Sequence, residues 1–215
     1  MKTQQLNILV FGATRNTGFY VMQQALDAGH KVTAIIRNPA AFQYTHSNLT
    51  IVKGDATQIN TFEKEVPGKD AIISSLGAAG FSQPTTLCST GVKNMLQTMR
   101  NTGVKRIICV SASAIELNSQ MNFFIRNASK VLQRLFKYPY SDLKLMENML
   151  GQSDTNWTVV RPPQLKSMPV TGKYRISVGG HLKSGYSIGR PDLAHYMLNH
   201  INSDGTFRKI VEIAY

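Results

Sequence analysis

The sequence predicts an α/β fold in which helices cover both faces of a doubly wound, mostly parallel sheet. Two observations support this prediction: short strand-like runs recur along the chain, and amphipathic segments of helix length separate most of them. The 42% hydrophobic and 17% charged residues are those of an ordinary globular protein. At 215 residues, we expect a single domain spanning 1–215 with a small, irregular C-terminal substrate region.

The strand-like runs set the order of the predicted sheet. We predict seven strands: Asn7–Phe11, Lys31–Ile36, Leu49–Val52, Ala71–Ser75, Arg106–Ser111, Thr158–Arg161 and Lys209–Ala214. After Pro163 the alternation loosens, and glycines separate short β-like pieces such as Lys173–Val178. Ligands of open α/β sheets bind beyond the carboxyl ends of the strands, so we expect this irregular part to select the substrate.

Helices are predicted from apolar residues at helical spacing and from the residues that begin and end them. Pro84 and Thr85 suit the start of the second helix, and Asp192 is expected to cap a final helix with Arg190 as its ion partner. The helices predicted before the final one have these approximate bounds: Gly18–Ala28, Thr85–Asn101, Gln120–Lys137 and Ser141–Gln152.

The turn after the first strand carries the strongest functional signal. It runs from Gly12 to Gly18, with Thr14, Arg15, Asn16 and Thr17 between them. Gly12 permits a tight turn, and Gly18 lets the helix approach the sheet while its N-terminal amides point at a diphosphate. Arg15 replaces the middle glycine of G-x-x-G-x-x-G, which leaves open a turn without a ligand. A guanidinium there also suits the diphosphate or the adenosine phosphate.

Three further strand ends fit parts of one dinucleotide in a Rossmann-type pocket. Arg37 ends the second strand, where it suits a 2′-phosphate better than the carboxylate of an NAD site. An exposed arginine without a ligand is the alternative. Asp55 can accept a hydrogen bond from adenine, and Leu76-Gly77-Ala78 lets the backbone approach the cofactor. The sequence therefore predicts NADP(H) over NAD(H).

The basic composition raises the question of an anionic partner, because 24 Lys and Arg residues oppose 12 acidic ones to give a net charge of +12. The tightest basic cluster comprises Arg126, Lys130, Arg134 and Lys137 on one predicted helix. We interpret it as a solvated face, since the chain carries no nucleic-acid-binding motif. We expect neither a nucleic-acid nor a membrane partner.

The cysteines, the histidines and the N-terminal segment bear on redox state, metal binding and location. Cys88 and Cys109 are expected to be packed, reduced thiols. The apolar stretch near the N-terminus breaks at Gly12, too early for a signal peptide or a membrane span, so a cytoplasmic location is expected. The histidines lack metal-ligand spacing, and no metal is predicted.

On these residues, the chain resembles the atypical short-chain dehydrogenase/reductase superfamily, and within it the small NAD(P)H-binding proteins related to flavin reductase/biliverdin-IXβ reductase and to NmrA-like proteins. The resemblance runs nearly end to end, and the stretches 82–86, 169–174 and 188–194 are among those that carry it. It implies that Pro162 and Pro163 lie beside the nicotinamide. The predicted cofactor-binding residues are accordingly Gly12, Thr14, Arg15, Asn16, Thr17, Gly18, Arg37, Asp55, Ala56, Leu76, Gly77, Ala78, Ser111, Pro162, Pro163 and Gln164.

The catalytic positions depart from that resemblance. Ala112 stands where the flavin reductase branch has its serine, and Gln164 stands where it has a histidine. Tyr140 and Lys144 lie four residues apart, so on one helix the ammonium would lower the pKa of the phenol, with Ser111 as the hydroxyl partner. The alternative is that Tyr140 is a capping aromatic and that Lys144 pairs with Glu147 or is solvated.

The function expected is an NADPH-dependent reductase that transfers hydride to a small conjugated acceptor of the flavin or quinone type. Hydride transfer to such acceptors needs little acid chemistry from the protein once the nicotinamide is positioned. Phe81 and residues 168–186 are expected to supply the acceptor wall. The alternative is a non-catalytic NADP(H)-sensing protein of the NmrA type. A monomer or weak homodimer is expected.

Overall fold

The computed structural model describes residues 4–78, 80–116 and 123–215. The strands in these ranges are β1 (Asn7–Phe11), β2 (Lys31–Ile36), β3 (Leu49–Lys53), β4 (Ala71–Ser74), β5 (Arg106–Val110), β6 (Asn156–Arg161), β7 (Gln164–Lys166), β8 (Arg175–Val178), β9 (Ser187–Gly189) and β10 (Lys209–Ala214). The helices are α1 (Asn16–Asp27), α2 (Leu87–Thr102), α3 (Phe123–Leu135), α4 (Lys137–Gln152) and α5 (Arg190–Asn199).

The central sheet has eight strands in the order β3-β2-β1-β4-β5-β6-β10-β8. Every neighbouring pair in it is parallel except β10 and β8, which are antiparallel. All seven predicted strands lie in this sheet, and the β-like piece predicted after Pro163 forms its eighth strand. The predicted Rossmann-type α/β fold is confirmed. The short strands β7 and β9 pair separately.

Two helical layers cover the sheet, because successive residues of a strand face opposite sides. Along β1, Ile8 and Val10 join the core cluster beneath α1 and α5, whereas Leu9 and Phe11 join the cluster beneath α2 and α4. The strand order reverses between β1 and β4, which opens a crevice at their carboxyl ends. In open α/β sheets ligands bind in such a crevice, which here lies just after Phe11.

The second helix begins later than predicted, for a tertiary reason. Pro84 and Thr85 precede it, and α2 starts at Leu87. Its first amides are capped from α4, where the buried Asp142 carboxylate accepts hydrogen bonds from the amides of Cys88 at 2.8 Å and Ser89 at 2.9 Å. A carboxylate at a helix N-terminus satisfies free amides and complements the helix dipole.

The predicted helices 120–137 and 141–152 also change at their junction. The predicted start at Gln120 lies outside the described residues. The helix α3 ends at Leu135 and α4 begins at Lys137, so Pro139 lies inside the first turn of α4. Proline is tolerated there because first-turn amides have no intrahelical acceptor.

The predicted cap of the last helix is wrong. Gly189 occupies the cap position of α5, and Asp192 lies in the first turn. The buried Asp192 carboxylate accepts hydrogen bonds from the amides of Thr171 and Gly172 and from the Tyr215 hydroxyl. It thus ties the 171–172 turn to α5, while Arg190 donates to Ser167. None of the helices in the described ranges is long and apolar enough to cross a membrane.

Candidate cofactor-binding site

The turn between β1 and α1 is built around two glycines that no larger residue can replace without a shift. Gly12 adopts a φ of +83°, a region that favours glycine. A Cβ built on Gly18 would lie 2.2 Å from the Gly12 carbonyl oxygen and 2.3 Å from the Ser75 Oγ, whereas real Cβ contacts essentially never fall below 3.0 Å. Helix α1 therefore approaches the ends of β1 and β4 more closely than any side chain at position 18 would permit.

A cavity of about 200 Å³ opens beside this turn and is here called the outer cavity. It extends across the ends of β2, β3 and β4, the positions at which the sequence predicted a dinucleotide. The predicted residues that line it are Gly12, Thr14, Arg15, Asn16, Arg37, Asp55, Ala56, Leu76, Gly77 and Ala78. Tertiary structure thus brings four separate strand ends to one concave surface.

Two charged groups of the outer cavity, Arg37 and Asp55, suit neighbouring parts of an adenosine phosphate. Arg37 is exposed at the end of β2, free to meet an anion. The Asp55 Oδ1 accepts hydrogen bonds from the amide and the hydroxyl of Thr57, each at 2.8 Å. The Thr57 amide bond is the main cause that holds the pKa of Asp55 below its ordinary value, with a smaller contribution from Arg37. Asp55 is therefore an ionised acceptor at neutral pH, and one of its oxygens is already engaged.

A second cavity of about 210 Å³, here called the inner cavity, adjoins the first and shares Asn16, Ser75, Leu76, Gly77 and Ala78 with it. Thr17 and Ser111 line it, and in the described part of the chain their hydroxyl oxygens are buried without a hydrogen-bond partner. Buried hydroxyls are normally paired, and a polar ligand in this cavity would supply a partner for these two.

Four predicted cofactor residues lie outside both linings: Gly18, which packs against the Gly12 carbonyl, and the segment Pro162, Pro163 and Gln164. Pro162 is buried, and its carbonyl accepts a hydrogen bond from the Ser113 amide at 3.0 Å. Pro163 is half-buried, and Gln164 is exposed at the start of β7. The next residue, Leu165, lines the inner cavity. The segment thus reaches the site, although by a different residue from those predicted.

The predicted Tyr140 and Lys144 lie on the same helix, α4, but the expected effect of one on the other is wrong. Burial raises the pKa of Tyr140 above its ordinary value, and Lys144 is exposed. The Tyr140 ring stacks on Phe136 with centroids 5.6 Å apart, and Phe136 in turn contacts Phe81 at 5.2 Å. Pro139 and Leu143 of the same helix line the inner cavity, whereas Tyr140 is not among its lining residues.

Sequence reasoning missed a buried ion pair beneath the site. Arg161, the last residue of β6, binds Glu147 of α4 through Nε–Oε1 at 3.0 Å and Nη2–Oε2 at 2.5 Å, and Glu116 through Nη1–Oε2 at 2.6 Å. Glu147 therefore pairs with Arg161 and leaves Lys144 without it. A charged residue directly before Pro162, at the end of an apolar strand, was the signal available in the sequence. The network fixes α4 to the strand that leads into the site.

Comparison with known proteins adds the family. The sequence profile of an NAD(P)H-binding family matches residues 12–204. An uncharacterized chloroplastic protein of Arabidopsis thaliana is 29% identical over 96% of this chain and 75% of its own length. The reductase PytE of Aspergillus terreus is 25% identical over 95% of each chain.

Solved structures show the same fold. A short-chain dehydrogenase/reductase from Veillonella parvula in complex with NADP superposes with a TM-score of 0.82 at 12% identity, covering 99% of this chain and 95% of that one. An anaerobilin reductase from Escherichia coli O157:H7 superposes at 0.80 with 19% identity, covering 97% of this chain and 96% of its own. At these identities the likeness extends to the architecture alone.

Proposed function

This chain belongs to the NAD(P)H-binding family, and on that premise we propose that it is an NADPH-dependent reductase that transfers hydride to a small conjugated acceptor of the flavin or quinone type. The observation that carries the proposal is the pair of adjoining cavities. One contains the glycine turn and Arg37, and the other has two buried, unpartnered hydroxyls. A cofactor in the first leaves the second for its reactive end and an acceptor.

The residues of the outer cavity fit a phosphorylated dinucleotide. Gly12 and Gly18 keep the N-terminus of α1 open and close to the sheet, so its first amides can bind the diphosphate. Arg37 would pair with the 2′-phosphate, and the strand end that it occupies carries no carboxylate to repel one. These two features favour NADP(H) over NAD(H).

The reaction needs mainly positioning from the protein. When bound, the reduced dinucleotide supplies the hydride. Ser111 and Thr17 can hold polar atoms of the cofactor or of the acceptor through hydroxyls that lack partners in the described residues. Apolar Leu165 and Leu143 line the same cavity and offer an apolar surface to the acceptor. Aligning the two reactants is the expected source of the rate.

We propose Tyr140 and Lys144 as the catalytic pair, with the Tyr140 phenol acting only as a proton donor. Because the pKa of Tyr140 is raised, the phenol stays protonated at neutral pH and can only donate a proton. We expect Tyr140→Phe to lose turnover while it binds NADPH like the unmodified chain. Unchanged turnover would remove Tyr140 from the mechanism.

A non-catalytic NADP(H) sensor is the second candidate. The observation that favours it is that the Tyr140 ring stacks on Phe136. A phenol held in this contact is less suited to transfer a proton to a substrate in the inner cavity. A photosystem II assembly factor of Synechocystis is 26% identical over 68% of this chain and 47% of its own length. Bound-NADPH fluorescence without oxidation across an acceptor panel would support the sensor.

The test combines cofactor choice with turnover. We expect NADPH consumption with FMN, a quinone or dichlorophenolindophenol, and we expect Arg37→Glu to weaken NADPH binding by at least about tenfold while NADH binding changes little. Lys31→Glu is the matched control, because it reverses an exposed charge at the opposite end of the same strand. Equal losses in both variants would refute the role of Arg37.

A further inference from the structure

Helix α3 carries a row of basic residues on its surface. Arg126, Lys130 and Arg134 recur every four residues, so they form one row along the helix, and all three are exposed. The exposed Lys137 follows at the start of α4. The cofactor site uses none of these four cations, although they account for the tightest basic cluster of a chain with a net charge of +12.

An apolar row runs beside the basic one. Val131 and Leu135 are also four residues apart, and 56% and 55% of their surfaces are exposed. Leu132 at 39% and Tyr138 at 38% extend this surface to the start of α4. Large aliphatic side chains this exposed, grouped on one helix, indicate a surface that a partner covers.

We propose that α3 docks this protein onto the surface of an anionic lipid membrane. An amphipathic helix with Lys and Arg next to its apolar residues lies in the headgroup region, where the apolar side chains enter the acyl boundary and the cations meet anionic headgroups. The long stems of Lys and Arg let them remain at the headgroups while Val131 and Leu135 insert. This departs from the expectation that the basic cluster is a solvated face with no membrane partner, because the structure shows exposed Val131 and Leu135 beside it.

Charge decides among the partners that could cover this surface. A second copy of the chain would place its own Arg and Lys row against the same row in a two-fold contact, and like charges would repel. Nucleic acid would pair with the cations but leave the adjacent apolar row exposed. An anionic lipid surface satisfies both rows at once.

The surface lies next to the inner cavity, which gives docking a consequence for the acceptor. Pro139 lines that cavity and directly follows Tyr138 of the apolar surface. Docking would therefore bring the rim of the cavity to the lipid boundary and favour a lipid-soluble quinone among the acceptors. This last step rests on the proposed function, whereas membrane docking does not.

The test is co-sedimentation of the full chain, without NADPH, with vesicles of phosphatidylglycerol and phosphatidylcholine. We expect binding to these vesicles, weak binding to pure phosphatidylcholine, and release by salt. The triple variant R126Q/K130Q/R134Q should bind roughly a hundredfold more weakly, at about fivefold for each lost cation. The variant V131S/L135S keeps every charge and should bind about tenfold more weakly or worse.

The control removes the same number of exposed cations elsewhere, in K31Q/K64Q/K209Q. It should bind close to the unmodified chain, and equal loss in the control would overturn the proposal in favour of general charge attraction. Absence of binding to anionic vesicles would also overturn it. So would a dimer in sedimentation equilibrium that V131S/L135S dissociates, since a second copy would then cover the surface. Because NADPH is absent, none of these outcomes depends on turnover.

Discussion

Replacing Gly18 by alanine tests the physical basis of the cofactor site most directly. The added methyl would lie 2.2 Å from the Gly12 carbonyl oxygen, about 0.8 Å inside the 3.0 Å limit for such contacts. Because Gly12 is backbone in a tight turn, it cannot move aside as a side chain would, and the N-terminus of α1 must retreat instead. Overpacking of this kind costs about 1–3 kcal/mol of folding stability.

The same retreat carries the first amides of α1 away from the position of the diphosphate. We expect Gly18→Ala to raise the dissociation constant for NADPH by about tenfold to a hundredfold, since charge-assisted hydrogen bonds to an anion contribute about 1.5–3 kcal/mol each. Titration of NADPH fluorescence measures the affinity, and chemical denaturation measures the stability.

The matched control is Gly151→Ala in α4. A Cβ at Gly151 meets nothing within 4 Å, so alanine there should leave NADPH binding unchanged and stabilise the helix by about 0.5–1 kcal/mol. If Gly18→Ala binds NADPH as tightly as the control does, the close approach of α1 is irrelevant to the site and our reasoning fails.

Two further predictions concern stability. Glu147→Ala should lower the free energy of unfolding by about 3–5 kcal/mol in denaturant titrations, because it leaves the buried Arg161 guanidinium with Glu116 alone. Stability should also fall below pH 6.5, since burial lowers the pKa of His30, more than nearby Asp70 raises it. The neutral imidazole Nδ1 accepts a hydrogen bond from the Leu6 amide at 3.2 Å. The stability that this neutral form contributes is complete above the pKa of His30 in the unfolded chain, and it is lost as the pH falls through the lower pKa of His30 in the folded chain.

Controls separate these effects from general damage. Glu116→Ala removes the exposed partner of the same arginine and should cost much less than Glu147→Ala, because an exposed ion pair contributes little. Equal costs would contradict the importance of burial. His30→Asn has no charge to gain, so its melting temperature should vary less between pH 7 and pH 5 than that of the unmodified chain. An identical pH dependence would exclude His30 as the cause.

The order of elements was predictable because the strands are local signals. Runs such as Asn7–Phe11 and Lys31–Ile36 appear in the structure at the predicted bounds, since a buried parallel strand must be apolar along its length. Helix ends were less predictable. The start of α2 depends on Asp142, which lies 54 and 53 residues from the two amides that it caps, and no local pattern shows such a partner.

The site residues divide in the same way, into those that local sequence signals predict and those that depend on tertiary contacts. Gly12, Arg37 and Asp55 could be predicted because strand ends in this fold converge on one crevice, and the structure places all three around it. The pKa of Tyr140 could not be predicted from its spacing to Lys144. Helical spacing shows that two residues can meet, whereas burial, which here raises the pKa, depends on what packs around the helix.

The sequence by itself determined the fold class, the glycine turn and the charge of the strand ends, because each is carried by residues adjacent in the chain. Only the tertiary structure decided that Thr17 and Ser111 line one cavity, that Arg161 is neutralised by Glu147, and that the apolar row of α3 stays exposed. These features depend on contacts between residues distant in sequence. Burial and pairing belong to the folded chain as a whole, so no local pattern encodes them.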